Sequence, residues 1–316
     1  MIALSIQIEG QDGLTWTRWK GLVETTEAAG FAGLFRSDHF TNAQPPDKEA
    51  LETIISLTYA ADHTRRVELG TLVAPISFRH PTLLARQATA LDDLSGGRFV
   101  LGLGAGWQER EHTLFGHDLG DVQTRMARFE EGLEVITRLL HSDEPVTFEG
   151  RFFQLRDAVL LPRPQRQSGP HIMIGGNGPQ RTLPLAARYA DIWNAIGLTP
   201  QAFRERSTLL DDLLNRQGRD PRSVRRTMML SIAFGRDPQE LERHLSRLGY
   251  TFDNAQARDA FVQQLVDGGR ALAGTPEAIK QQLARYDEAG VEELMLQWFD
   301  MDNLEGLHAF GESVIG

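Results

Sequence analysis

Short apolar runs of strand length alternate along this chain with longer segments in which apolar residues recur three or four positions apart. That alternation is the pattern of βα units. The runs predict strands over Ile2–Ile8, Gly33–Ser37, Val67–Val73, Phe99–Gly104, His171–Gly175, Asp191–Ile196, Thr227–Phe234 and Glu293–Trp298. Between them, Leu83, Leu84, Ala88, Leu91 and Leu94 make one helical stripe, interrupted by Gln87, and Met126, Phe129, Leu133, Ile136 and Leu140 make another. Further on, Thr275 before Pro276 predicts a helix start and Gly290 its stop. Eight strands, each followed by a helix, in 316 residues suit a (β/α)8 TIM barrel better than an open doubly wound sheet.

Three segments exceed ordinary loop length: Ala105–Asp121, Ser142–Pro170 and Arg236–Gly274. They are expected as insertions at the C-terminal mouth of the barrel. Within the second, "VTFEGRFFQL" predicts a small hairpin turning at Glu149 and Gly150. No repeat, low-complexity tract or linker divides the chain, so a single domain over residues 1–316 is expected. The formal charge of −10 and the absence of a basic stripe argue against a nucleic-acid partner. No apolar run is long enough to span a bilayer and the first residues do not read as an export signal, so a cytoplasmic protein without a membrane partner is expected. With no cysteine there is no disulfide, thiolate ligand or cysteine nucleophile. The histidines lack HxH and HExxH spacing, so no metal is expected, and no Gly-x-Ser-x-Gly elbow marks a hydrolase.

In a barrel the chemistry sits where strands run out into the following loops. Asp38 and His39, in "GLFRSDHF", fall at such an end: an imidazole can move a proton near neutral pH and a carboxylate can anchor a polar ligand edge. Taken alone the pair is equally the polar fringe of a strand, as Asp62 and His63 show in a helical setting. In "GGRFVLGLGAGWQERE", Gly102, Gly104 and Gly106 leave a strand at alternate positions, which would let backbone N–H groups approach an anion. The Rossmann spacing is not met, because Trp107 stands where a third glycine is required. "HIMIGGNGPQRTL" repeats the arrangement with Gly175, Gly176, Asn177 and Gly178 before a helix expected near Pro179, and such a helix start favours phosphate.

These stretches, together with "LGTLVAPISFRHPTLLARQATALDDLSGGRFVLGLGAGWQEREHTLFG" and "MARFEEGLEVI", resemble the bacterial luciferase-like flavin and deazaflavin oxidoreductases, in particular the branch that uses coenzyme F420. The resemblance runs from the first strand to the last. It implies a deazaflavin ring across the barrel mouth, His39 as general acid or base, and Asp38 at the polar edge of the ring. It places ring-supporting contacts at Leu72, Val73 and Ala74, with a non-prolyl cis peptide near Leu72 and Val73. Phosphate contacts map to Ala105, Gly106, Gly175, Gly176, Asn177 and Gly178. The implied activity is hydride exchange between the deazaflavin and a small organic substrate, carried out by a homodimer. The alternatives are an FMN-dependent monooxygenase on the same barrel and a non-catalytic flavin-binding protein. The chain departs from the sugar-phosphate dehydrogenases of the family at Trp107, where they carry a carboxylate, and at Ala43, where they carry an aromatic. It also has Ala74 where several deazaflavin binders carry a hydroxyl.

Overall fold

The structure is a computed structural model that describes residues 2–166 and 168–316. Its strands are β1 (Ala3–Ile8), β2 (Gly33–Arg36), β3 (Glu68–Thr71), β4 (Ala74–Pro75), β5 (Phe99–Gly104), β6 (Val146–Glu149), β7 (Gln154–Ala158), β8 (His171–Gly175), β9 (Ile192–Ile196), β10 (Arg225–Phe234), β11 (Ala271–Gly274) and β12 (Glu293–Gln297). Eight of them, β1, β2, β3, β5, β8, β9, β10 and β12, pair in parallel in that order, and β12 returns to β1 through Ala3↔Glu293 to Gln7↔Gln297. The ring is a closed eight-stranded parallel barrel with helices between strands, as the alternating pattern predicts.

Strand parity separates two kinds of interior. On β1, Leu4, Ile6 and Ile8 join the layer between sheet and helices, together with Trp19 and Leu22 of helix Trp16–Ala28. Ser5 and Gln7, of the opposite parity, are fully buried. Inside the barrel Phe35, Val100, Met173, Ile192 and Met295 form a separate apolar cluster. Toward the N-terminal end this plug gives way to polar groups: Ser5 Oγ donates to Glu293 Oε1 at 2.5 Å, and Arg225 reaches Glu68 at 2.6 Å. Burial, against the opposing charge of Arg225, pushes the Glu293 carboxyl above its ordinary range. With that end filled, open space for a ligand is left at the C-terminal ends of the strands.

The long segments acquire structure of their own. Ala105–Asp121 carries the short helix Glu109–Phe115, and β6 and β7 form the predicted antiparallel hairpin, with Glu149 opposite Gln154. Arg236–Gly274 holds helices Pro238–Arg247 and Ala255–Asp267 and ends in β11, which pairs with the part of β10 that runs on past β9. Four residues, three of them small, gave β11 too short an apolar run to register as a strand. The helical stripes need one adjustment: Leu84, Ala88 and Leu91 face the core, while Leu83 and Leu94 are each 46% exposed. In the second stripe Phe129, Leu133, Ile136 and Leu140 are buried. Helix Pro276–Glu288 starts and stops at the expected residues, although Thr275 holds the N-cap position without a side-chain bond.

The third barrel strand is broken. β3 ends at Thr71, the Leu72–Val73 peptide is cis, and β4 resumes beside β5 through Ala74↔Leu103. This bulge lays Val73 across the neighbouring strands: a Cβ on Gly104 would lie 2.7 Å from Val73 Cγ2, and one on Gly175 3.1 Å from Val73 Cγ1. A Cβ on Gly102 would lie 1.9 Å from the Thr71 carbonyl oxygen. Close packing against the bulge therefore accounts for Gly102 and Gly104, which corrects their reading as an anion cradle. Gly102→Ala forces backbone apart and should cost about 3 kcal/mol or more of stability in urea unfolding, whereas Gly104→Ala, which meets a side chain that can shift, should cost about 1 kcal/mol.

Candidate active site

A cavity of about 680 Å³ opens at the C-terminal end of the barrel. Leu72, Val73, Pro75, Ile196 and Met229 give it apolar walls, and Ala105, Gly106, Gly175 and Thr182 line it on the side of β5 and β8. Phe129 and Met126, from helix Val122–His141, also line it. A polar edge comes from β1 and β12. Glu9 Oε1 accepts from Gln297 Nε2 at 2.7 Å and Gln7 Nε2 at 3.2 Å, and Oε2 accepts from Gln11 Nε2 at 2.9 Å. The amide oxygens of Gln11 and Gln297 are fixed in turn, since Ser37 Oγ donates to Gln11 and Ser231 Oγ to Gln297.

His39 lines the cavity with 15% of its side chain exposed. Its Nδ1 lies 2.7 Å from Oε1 of Glu111, and the other oxygen of that carboxylate accepts the Phe40 N–H at 2.9 Å. Glu111 is 1% exposed and sits in the first turn of helix Glu109–Phe115, where a carboxylate is favoured by the helix dipole. The same helix start clamps the rest of the loop after β2. Gln108 Nε2 donates to Thr41 O at 2.8 Å, and Arg110 donates to Asn42 O at 2.8 Å while pairing with Asp47.

Burial opposes charging of His39, but the hydrogen bond and charge of Glu111, with Glu9 and Asp38 behind them, outweigh it and raise the imidazole above its ordinary 6.5. A pKa higher folded than unfolded means that the protonated ring favours the folded state. That contribution is complete below 6.5 and is lost as pH rises through the raised value. With Nδ1 directed at Glu111, Nε2 is the nitrogen left for exchange with a ligand.

The other expected site residues divide. Leu72, Val73, Ala105, Gly106 and Gly175 line the cavity with His39. Asp38 does not: its buried carboxylate is paired with both terminal nitrogens of Arg79, which also holds Glu52 at 2.6 Å. Ala74 is fully buried in β4 and outside the lining. Gly176, Asn177 and Gly178 also lie outside the lining. The Gly176 N–H is bonded to Asn194 O at 2.9 Å, and the Asn177 side chain both accepts from Ile196 N at 2.9 Å and donates to Ile196 O at 2.7 Å. The helix begins at Thr182 rather than near Pro179, and its Oγ1 would lie 2.9 Å from a Cβ on Gly178.

Sequence reasoning missed Glu111, Glu9, Gln11, Gln297 and Thr182. Glu111 was legible only as an acid in a helix first turn. Glu9 and Gln297, at the ends of the first and last strands, meet only because the barrel closes.

The chain matches the family model for luciferase-like monooxygenases over residues 2–293. It is 31% identical over 288 residues to a 4-hydroxyprotoasukamycin monooxygenase of Streptomyces nodosus subsp. asukaensis, covering 87% of this chain and 71% of the relative. It is 28% identical over 307 residues to an F420-dependent glucose-6-phosphate dehydrogenase of Kineococcus radiotolerans, covering 92% of this chain and 89% of the relative. Its fold superposes on that of an F420-dependent secondary alcohol dehydrogenase, solved with an F420-acetone adduct, with a TM-score of 0.81 and 20% identity over 99% of both chains. With a family model that spans nearly its whole length and a barrel open at the expected end, the chain belongs to the luciferase-like monooxygenase family and is an enzyme of that superfamily.

Proposed function

We propose that this protein is a coenzyme F420-dependent oxidoreductase that exchanges a hydride with a small organic substrate, with His39 as general acid and base. The observation that carries this reading is the His39–Glu111 pair at the edge of a cavity whose wall is the Leu72–Val73 bulge. The residues present fit a deazaflavin. Leu72, Val73 and Met229 offer apolar surface to a planar ring, while Glu9, Gln11 and Gln297 form a fixed polar edge. Gly106, whose φ of 83° favours glycine, and Gly175 and Thr182, which line the same side of the cavity, would hold the phosphate. When bound, such a cofactor supplies a hydride donor or acceptor at carbon and reacts poorly with oxygen.

The chain's own part is proton management and orientation. Glu111 accepts from Nδ1 and thereby fixes the ring, with the Trp107 ring edge-on at 5.7 Å. Nε2 then gives a proton to a substrate oxygen in reduction and takes one in oxidation. The F420-dependent dehydrogenase among the relatives supports the deazaflavin. The monooxygenase relative favours the second reading, an FMN-dependent oxygen-activating enzyme on the same barrel. The family resemblance further suggests a cytoplasmic homodimer in which residues 1–316 act as one domain.

Cofactor fluorescence separates the readings. Coenzyme F420 should bind at micromolar concentration, and His39→Ala should lower turnover about 100-fold or more while leaving affinity within about threefold. Binding of reduced FMN with no response to F420 would replace this reading by the monooxygenase, cofactor binding without turnover of any substrate would favour a non-catalytic flavin-binding protein, and turnover indifferent to His39 would remove its acid–base role. The raised His39 pKa gives a second test. Reduction needs protonated Nε2, so its rate should fall as pH rises through a pKa above 6.5. Glu111→Gln leaves burial opposed only by the charges of Glu9 and Asp38 and should move that fall to lower pH, both in the rate profile and in the His39 proton resonance.

A further inference from the structure

The ionisable side chains lining the cavity are Glu9, Asp12, His39 and Glu111, with no lysine or arginine among them. Cations around the mouth are engaged elsewhere. Arg79 holds Asp38 and Glu52, Arg110 holds Asp47, Lys48 lies 3.3 Å from Asp12, and buried Arg36 donates to Ser56 Oγ and Leu51 O. An anionic group beside His39 would therefore meet Glu9, which only amides neutralise, while Lys48 is already held by Asp12 and the imidazole by Glu111, an arrangement that disfavours an anion. The same carboxylates do not invite a cation. Glu9 is saturated by three amides, Glu111 by His39 and the Phe40 N–H, and Asp12 has Lys48.

Apolar surface is what this end offers. Trp107 lines the cavity beside His39 with 62% of its surface exposed, and Phe299, Ile196 and Met229 add to it. An exposed indole at a cavity mouth is a surface that a ligand covers, and methionine adapts to varied shapes.

We propose that the substrate is an uncharged, largely apolar carbonyl compound or the corresponding alcohol, packed on Trp107 with its oxygen at His39, and that Glu9 and Asp12 exclude phosphorylated and carboxylated analogues. The placement of the oxygen rests on the oxidoreductase reading, whereas the charge rule is a property of the cavity. It applies at the end formed by β1 and β2; the glycine loop after β8 lies three strands further round the barrel.

Cyclohexanone, 4-oxocyclohexanecarboxylate and 4-aminocyclohexanone share a skeleton and differ in charge at neutral pH. Their binding to the full-length protein, with and without F420, is measured by calorimetry or ligand-observed NMR, independently of turnover. Cyclohexanone should bind about tenfold or more tightly than either charged analogue, and Trp107→Ala should weaken it about tenfold. Glu9→Gln with Asp12→Asn should narrow the gap to the carboxylate about threefold or more, and Asp12→Asn alone serves the same purpose where the double variant does not fold. A charged analogue that binds as tightly as the ketone, indifference to Trp107, or no ketone binding at millimolar concentration overturns the proposal. The expected order of affinities without any F420-linked turnover would leave the charge rule standing and sink hydride transfer. Turnover of ketone and carboxylate alike would do the reverse.

Discussion

One carboxylate joins the two loops on which this site depends. Glu111 reaches from the helix after β5 to His39 and to the Phe40 N–H in the loop after β2, and it is almost wholly buried while doing so. A buried carboxylate is tolerated when its oxygens are filled by good donors, and here both are. The consequence is an imidazole held rigidly at the edge of the cavity. An unanchored imidazole on a loop containing Thr41, Asn42 and Ala43 would sample several orientations, and the clamp by Gln108, Arg110 and Glu111 removes that freedom from three directions.

Opposite this polar clamp stands a steric constraint. The bulge at Leu72 and Val73 can lie against the barrel wall only because β5 and β8 present glycines there: Gly102 admits the Thr71 carbonyl, and Gly104 and Gly175 admit the Val73 side chain. Glycine is costly in a strand, since it loses more backbone freedom and contributes no packing of its own. Its use at neighbouring positions on adjacent strands makes sense when the side chain that fills the space comes from a third strand. The result is an apolar wall made by one valine, held independently of the loop that carries the histidine.

Much of this was legible in the sequence, and the reasons differ by residue. The eight barrel strands showed because parallel strands buried on both faces are apolar throughout. β11 did not, because Ala271–Gly274 is short and Leu272 is its one large apolar residue. His39 was legible from its place at the end of β2, yet the choice between Asp38 and Glu111 as its working partner was not. Adjacent residues at a strand end diverge, so Asp38 turned to Arg79, while Glu111, 72 residues on, turned toward the imidazole. The glycine runs announced close approach correctly but not what approaches. At Gly104 it is Val73, and around Gly176 and Gly178 it is Thr182.

Trp107 and Glu111 show how a family scaffold can carry different chemistry at constant geometry. The sugar-phosphate dehydrogenases that the chain resembles have a carboxylate where Trp107 stands. Here a carboxylate four residues further along, in the first turn of the following helix, touches His39 rather than projecting as Trp107 does. Trp107 precedes the N-cap Gln108 while Glu111 lies in the first turn, so the change from extended chain to helix sends one side chain to the mouth and the other to the histidine. Moving the acid inward keeps its electrostatic hold on the imidazole, which strengthens as water is excluded. Placing an indole outward exchanges hydrogen-bonding capacity at the mouth for apolar surface. Under the proposed function, proton handling and substrate packing would thereby fall to two different residues.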